Sequence, residues 1–487
     1  KEMKTIFTLI PCLFFLLSFN AKALVINGCT IEANTYCFLP NLSNTDLSGV
    51  DLSGANFEPS SLFLYSDLSG ADLSGANLRN SRLLETILTN ADLTSAYLKG
   101  SIGDFTNFTN ATLIGADFSD GEEVYLGYGD RTHLRDANFT NADLTGARMD
   151  WISLWRANFT DANLTGANLS ESDLEDSNFT NANLTNANLN RAELHNVDFT
   201  NANLTNADLT NADLLNANFT NANLTNVGLW NVDLTSAVFT GVFGRISNAD
   251  YAVIHPNYVI ANNYIVGPGV NLSDADLTGA DLSGVNLTGI NMSGANLTGV
   301  DLTGTSGQLS NATNIIIHPN YMIANNYIVG PGIILSDADL TGADLTGANL
   351  SNTDLSAATL DNVSGKLSGV TGIKLPPGYT LEGNFIKPDN DNDGYSDQLE
   401  IAISGDATSA DSTTFATALS NLTTDADNDG VPDDYETAAG GDTTSSTFES
   451  VLLMLTVNKN VPAMGGIGLL ALGLSMLGLG AVRLRKK

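Results

Sequence analysis

Basic residues are scarce in this chain. Of 487 residues, 20 are Lys or Arg against 54 Asp or Glu, a formal net charge of −34. So acidic a surface repels nucleic acid and anionic lipid, and no nucleic-acid partner is expected. Histidine is rarer still, at His133, His195, His255 and His318. Their scatter offers no nucleophile–base spacing, zinc-type cluster or phosphate loop, so an enzyme is not expected. Cysteine numbers three. Past the first two dozen residues Cys29 and Cys37 remain, and in an exported chain such a pair reads as one disulfide, with two free thiols the alternative. Also missing is either ordinary period: the apolar residues follow neither 3.6 nor 2.

The period present is five. From Leu134 to Phe239 every fifth residue is large and apolar, and the residue two before it is small or β-branched, as at Ala137, Ala142 and Ala147. The unit reads Ala-(Asn/Asp)-(Leu/Phe)-(Thr/Ser)-x. A helix would smear the leucines around its surface, and a flat strand would send alternate ones to opposite faces. The spacing works if each unit is one short side of a coil with a turn after it, its Ala and Leu both pointing inward. Phe139, Phe159, Phe179, Phe199, Phe219 and Phe239 fall 20 residues apart. Four units therefore close one coil, and coils should stack about 4.8 Å apart with phenylalanine filling one interior column.

This pattern resembles the pentapeptide-repeat family over roughly residues 41–360. The resemblance implies a right-handed quadrilateral β-helix, and the fold class expected is all-β. The central position runs from Leu42 to Leu62 in one register and resumes one residue late at Leu68. Gly121–His133 interrupts the repeat with a glycine-rich, aromatic loop. Function concentrates on such loops, so Arg131, Arg135, Trp151 and Trp155 mark a candidate ligand surface, with arginine stacked over tryptophan one coil on.

A longer module follows. Gly244, Gly307 and Gly365 each precede, by twelve residues, Pro256, Pro319 and Pro377, with Tyr258, Tyr321 and Tyr379 two further on. Tyr258–Val266 and Tyr321–Val329 read as hairpins turning at Asn262-Asn263 and Asn325-Asn326. His255 and His318 hold matching places in it.

Two acidic stretches share D-x-D-x-D-G-x-x-D-x-x-E: Asp389, Asp391, Asp393, Tyr395, Asp397 and Glu400, then Asp425, Asp427, Asp429, Val431, Asp433 and Glu436. Calcium needs six to eight oxygen ligands, and carboxylates at positions 1, 3 and 5 wrap one ion when a glycine turns the chain sharply. Gly394 and Gly430 supply that turn, and Tyr395 and Val431 offer backbone carbonyls. Lys387-Pro388 and Ser404-Gly405 leave no room for long EF-hand helices, and the segment looks more like bacterial thrombospondin type-3 repeats over about 389–445. Calcium is the expected cofactor, with an acidic disordered linker as the alternative.

Lys4, the apolar run Ile6–Phe19 and Ala21-Lys22-Ala23 read as a secretory signal. At the other end Val461-Pro462 and Gly465-Gly466 lead an apolar stretch to Val482, closed by Arg483, Arg485, Lys486 and Lys487. The stretch can span a bilayer, basic end inward. It resembles PEP-CTERM and GlyGly-CTERM sorting signals, implying an exosortase- or rhombosortase-like protease as partner; a plain anchor is the alternative. The expected layout is a signal peptide over 1–23, a disulfide N-cap over 24–40, a β-helix over 41–243 and hairpin modules with further repeats over 244–388. Calcium repeats over 389–445, a linker over 446–460 and a transmembrane sorting tail over 461–487 complete it. The functional expectation is an exported, cell-surface structural or adhesive rod with a surface or matrix ligand, able to self-associate. The alternative is a DNA-mimicking, topoisomerase-binding rod, which the signal peptide disfavours.

Overall fold

The structure is a computed structural model and describes residues 24–26, 29–37, 41–57, 61–120 and 131–390. Residues 1–23, expected as a secretory signal, and 461–487, expected as a transmembrane sorting tail, lie outside the described residues. Two compact units divide the chain, residues 1–255 and 256–487.

One repeat of the first unit shows why the sequence coils. Ala137 and Phe139 are fully buried, while Asn138 between them faces out and bridges Asn158 of the next coil in parallel. The Phe139 carbonyl accepts the Ala142 N–H at 2.9 Å, closing a turn whose third residue, Asn141, has φ +58°. Asparagine tolerates that left-handed conformation better than most residues. The Asn138 side chain accepts from the Thr140 amide at 3.1 Å and hydroxyl at 2.6 Å. Asn158 of the next coil then donates to the Thr140 hydroxyl at 3.0 Å. The Asn/Asp and Thr/Ser letters of the repeat thus hold the turns, and Ala and Leu fill the interior. Coil-to-coil amides are satisfied throughout this stretch, as in Leu144 N–H to the Asn163 carbonyl at 2.7 Å.

The phenylalanine column is a stack. Rings from Phe139 to Phe239 lie 4.6–5.8 Å apart, centroid to centroid. It extends one coil below what the 20-residue spacing reveals: Phe108 stacks on Phe139 at 4.8 Å and 2°. Ile102 bridges His133 directly, so the loop is an excursion from a continuous core.

The register change falls earlier than the sequence suggests. Leu62 is not inward; Phe63 is fully buried in its place, and Leu62 bridges Arg82 on the outer backbone. One extra residue between Phe57 and Phe63 lengthens that coil, so Asn41 pairs with Leu62 and Asn56 with Asn77. At the N-terminal end β1 (Leu24–Ile26) and β2 (Cys29–Ile31) form an antiparallel hairpin. A Cys29–Cys37 disulfide with Cα atoms 5.2 Å apart ties it to the first coil, where the Cys37 N–H reaches the Asn56 carbonyl. The coil also outlasts residue 243: Gly228 bridges Asn248, and β3 (Asp233–Leu234) pairs in parallel with β4 (Val253–Ile254).

In the second unit, coils of the same pitch alternate with hairpins. β5 (Val259–Ala261) and β6 (Tyr264–Val266) turn through Asn262 and Asn263, both at positive φ, as a two-residue type I′ turn requires. The parallel pair β7 (Asn296–Leu297) and β8 (Ile316–Ile317) leads to a second hairpin, β9 (Met322–Ala324) and β10 (Tyr327–Val329). β11 (Tyr379–Glu382) and β12 (Phe385–Pro388) form the third. Asn262 and Asn325 bind the repeats that follow: Asn325 donates to the carbonyls of Asp339 and Thr341, both at 3.1 Å. The recurring module glycine is compulsory. Gly307 has φ +98°, and a Cβ there would sit 2.5 Å from the Thr288 backbone nitrogen.

Candidate functional site

Of the expected calcium ligands, Asp389 alone is described. It is buried just past β12, its N–H donating to the Gly378 carbonyl at 2.7 Å. Asp391, Asp393, Tyr395, Asp397 and Glu400, and the second set from Asp425 to Glu436, lie outside the described residues. Among the described residues no group of three or more His, Cys, Asp or Glu is placed to hold a metal. His318 accepts the Asn320 N–H through Nδ1 at 3.2 Å, a turn-capping contact. No helix among the described residues is long and apolar enough to cross a membrane.

The four residues of the candidate ligand surface gather on one side of the first unit. The Arg131 guanidinium lies 5.8 Å over the Trp151 ring. Arg135 does not stack on Trp155. Asp104, one coil beneath it, holds the guanidinium through Nη2 at 2.7 Å and Nε at 3.3 Å, which raises the Arg135 pKa further. A bidentate carboxylate outcompetes an aromatic face for this planar fork. Arg156 takes the place over Trp155 at 3.7 Å, itself bound to Asp136 at 2.7 Å. Where the loop begins and ends, buried Asp120 accepts from both the amide and the hydroxyl of Thr132. Burial pushes its carboxyl above the usual range despite those bonds.

Trp151 occupies the third position of its turn with φ +66°. The same corner holds Asn211 and Asn231 at φ +58° and +55°. For a residue with a Cβ that conformation costs about 1–2 kcal/mol, least for asparagine. Trp151 lines a cleft of about 390 Å³ with Ser170, Glu171, Asn188, Asn190 and Asp208 among its walls. Arg191 pins Glu171 at 3.0 Å, and Asn188 donates to Asn168 at 2.9 Å. Further along the corner Trp230 meets Tyr251 edge-on, centroids 5.9 Å apart. On the neighbouring side Asp173, Glu193, Asp213 and Asp233 stand on successive coils as a carboxylate column. His195 contacts Asp213 at 2.5 Å, and that partner raises its pKa.

A family model described as "Pentapeptide repeats" matches eight times, over 41–62, 66–102, 130–156, 143–181, 177–214, 202–241, 269–306 and 333–364. The chain is a pentapeptide-repeat protein. Proteins of this family form right-handed β-helices and are generally non-catalytic. No curated protein matches it. Among solved structures it is similar to HetL, a pentapeptide repeat protein involved in heterocyst differentiation regulation from the cyanobacterium Nostoc sp. strain PCC 7120. Identity is 24% over 47% of this chain and 91% of HetL, with a TM-score of 0.26. It is also similar to trypsin-treated QnrB1, a plasmid-mediated fluoroquinolone resistance protein (21% identity, 42% and 90% coverage, TM-score 0.21). A third is Rfr23 of the cyanobacterium Cyanothece 51142, with 22% identity, 30% and 90% coverage and a TM-score of 0.17.

Within this pentapeptide-repeat protein, sequence reasoning found Trp151 but missed the cleft beside it and the Trp230–Tyr251 pair. The cleft walls are ordinary repeat letters and carry no signal of their own. The aromatics do: Tyr65, Phe105, Trp151 and Tyr251 all stand in left-handed turn positions that Asn, Asp or Gly hold in most other turns.

Proposed function

We propose that this protein is an exported structural or adhesive β-helix of the cell surface, with a calcium-ordered acidic segment behind it. The observation that carries the reading is the Cys29–Cys37 pair in the N-terminal cap, because structural disulfides persist in oxidising compartments. Signal-like residues 1–23, the two matching acidic dodecads and the three-part tail support it from the sequence. In this reading the tail is tethered or released by a sorting protease, and the rod presents a surface to a matrix ligand. The test is calcium titration of the purified chain by calorimetry with circular dichroism. Saturable binding of about two ions with an unchanged β signal is expected. No binding at millimolar calcium sinks the calcium role, and recovery of the protein entirely from the cytoplasm sinks the export.

The carboxylate column from Asp173 to Asp233 favours a second reading, an acidic rod that imitates nucleic acid. Inhibition of a type II topoisomerase by the purified chain would support it over the first.

A further inference from the structure

We propose that the corner of the first unit running from Trp151 to Trp230 and Tyr251 binds a neutral polysaccharide chain laid along the coil axis. This deepens the adhesive reading above and rests on it for access to glycans outside the cell. Trp151, half-buried, holds the left-handed turn position that Glu171, Arg191, Asn211 and Asn231 fill on other coils of the same corner, and strain kept at an aromatic residue beside a cleft points to use. Its cleft is walled by hydroxyl, amide and carboxylate groups from Ser170, Asn188, Asn190 and Asp208, with Trp151 the one large apolar member. That is the chemistry of a sugar: a pyranose lays its C–H face on an aromatic ring and its hydroxyls bond planar amides and carboxylates. An apolar peptide would find little apolar surface there. Anionic chains, nucleic acid included, are turned away by Glu171, Asp208 and the charge of −34.

Gly228 adds to the case. It stands in the outward place above Asp208 and below Asn248. Its φ is not left-handed, and a Cβ would come no closer than 3.3 Å, to Asp208 Oδ1. The backbone does not demand a glycine; a Cβ would press on the Asp208 carboxylate, and the effect of the glycine is to leave the surface above Asp208 open. Trp230 lies four coils beyond Trp151, about 19 Å along the axis at the usual strand spacing. A single sugar cannot reach both. A linear chain can, meeting one polar rung per coil.

The experiment is affinity electrophoresis of the full chain in native gels cast with hydroxyethyl cellulose, galactomannan or alginate, each with calcium and with chelator. Retardation by at least one neutral polymer is expected, independent of calcium, and weakened at least tenfold in Trp151→Asn and in Trp230→Thr. Both variants restore residues the repeat itself uses at those places, and unchanged circular-dichroism melts verify that the coil is intact. Mobility unchanged in both neutral gels overturns the proposal, as does retardation that survives both substitutions. Retardation by alginate alone, and in calcium alone, also overturns it and assigns adhesion to calcium bridging. Because calcium uptake and export are measured separately, failure here leaves the surface reading standing.

Discussion

At the residue scale, inward hydroxyls separate useful polar groups from costly ones. Thr86 stands where the repeat has Ala, yet its hydroxyl donates to the Phe63 carbonyl of the previous coil at 2.7 Å; Ser66 and Thr106 do the same to Leu42 and Leu83. Ser81 and Ser101 are equally buried, and their Oγ atoms have no partner. A buried orphan hydroxyl costs about 1–3 kcal/mol. Ser81→Ala should therefore stabilise the first unit by about 1 kcal/mol, and Thr86→Ala should destabilise it, both read by chemical denaturation. Asp120 supplies a pH-dependent case. Burial raises its folded pKa, so its contribution is complete below the ordinary carboxylate pKa and is lost as pH rises through the raised value. Asp120→Asn keeps an acceptor for Thr132 without the charge. It should melt higher than the parent at pH 7, and the gap should close near pH 3.

Elements here are coil sides and hairpins, and their stability is shared with neighbours. Phe179 stacks on Phe159 at 4.6 Å and Phe199 at 5.2 Å, fully buried between them. Phe179→Ala should cost about 3–5 kcal/mol. Phe179→Leu should cost less, since leucine is what the other inner columns use. In a nearest-neighbour solenoid the loss spreads along the stack, so hydrogen exchange should accelerate in coils on both sides of the substitution. The sequence made this column legible because phenylalanine recurs every 20 residues. It hid Phe108, which lies 31 residues before Phe139 and not 20, because a period counted along the chain cannot see across inserted residues. Leu62 misled for a related reason: it and Phe63 are both apolar, and the one extra residue that decides between them is visible only in the pairing of Asn41 with Leu62.

For the molecule as a whole, the ends matter more than the middle. A solenoid exposes its terminal coil unless something covers it, and here the cover is the β1–β2 hairpin tied by Cys29–Cys37. Closing so short a loop contributes about 2–3 kcal/mol. Cys29→Ser with Cys37→Ser should leave the Phe139–Phe239 stack and its circular dichroism intact while exchange quickens between residues 36 and 57. The sequence by itself determined the four-sided coil, its inward and outward letters, the hairpin turns at Asn262-Asn263 and Asn325-Asn326, and membership of the repeat family. Each follows from a local rule repeated many times, so a single chain contains its own statistics. The tertiary structure alone decided where the register slips, that Asp104 takes Arg135 while Arg156 covers Trp155, and that Trp151 borders a cleft. These depend on which residues of different coils become neighbours. That adjacency is set by the exact number of residues in each coil, and one extra residue or one loop changes it for every coil beyond.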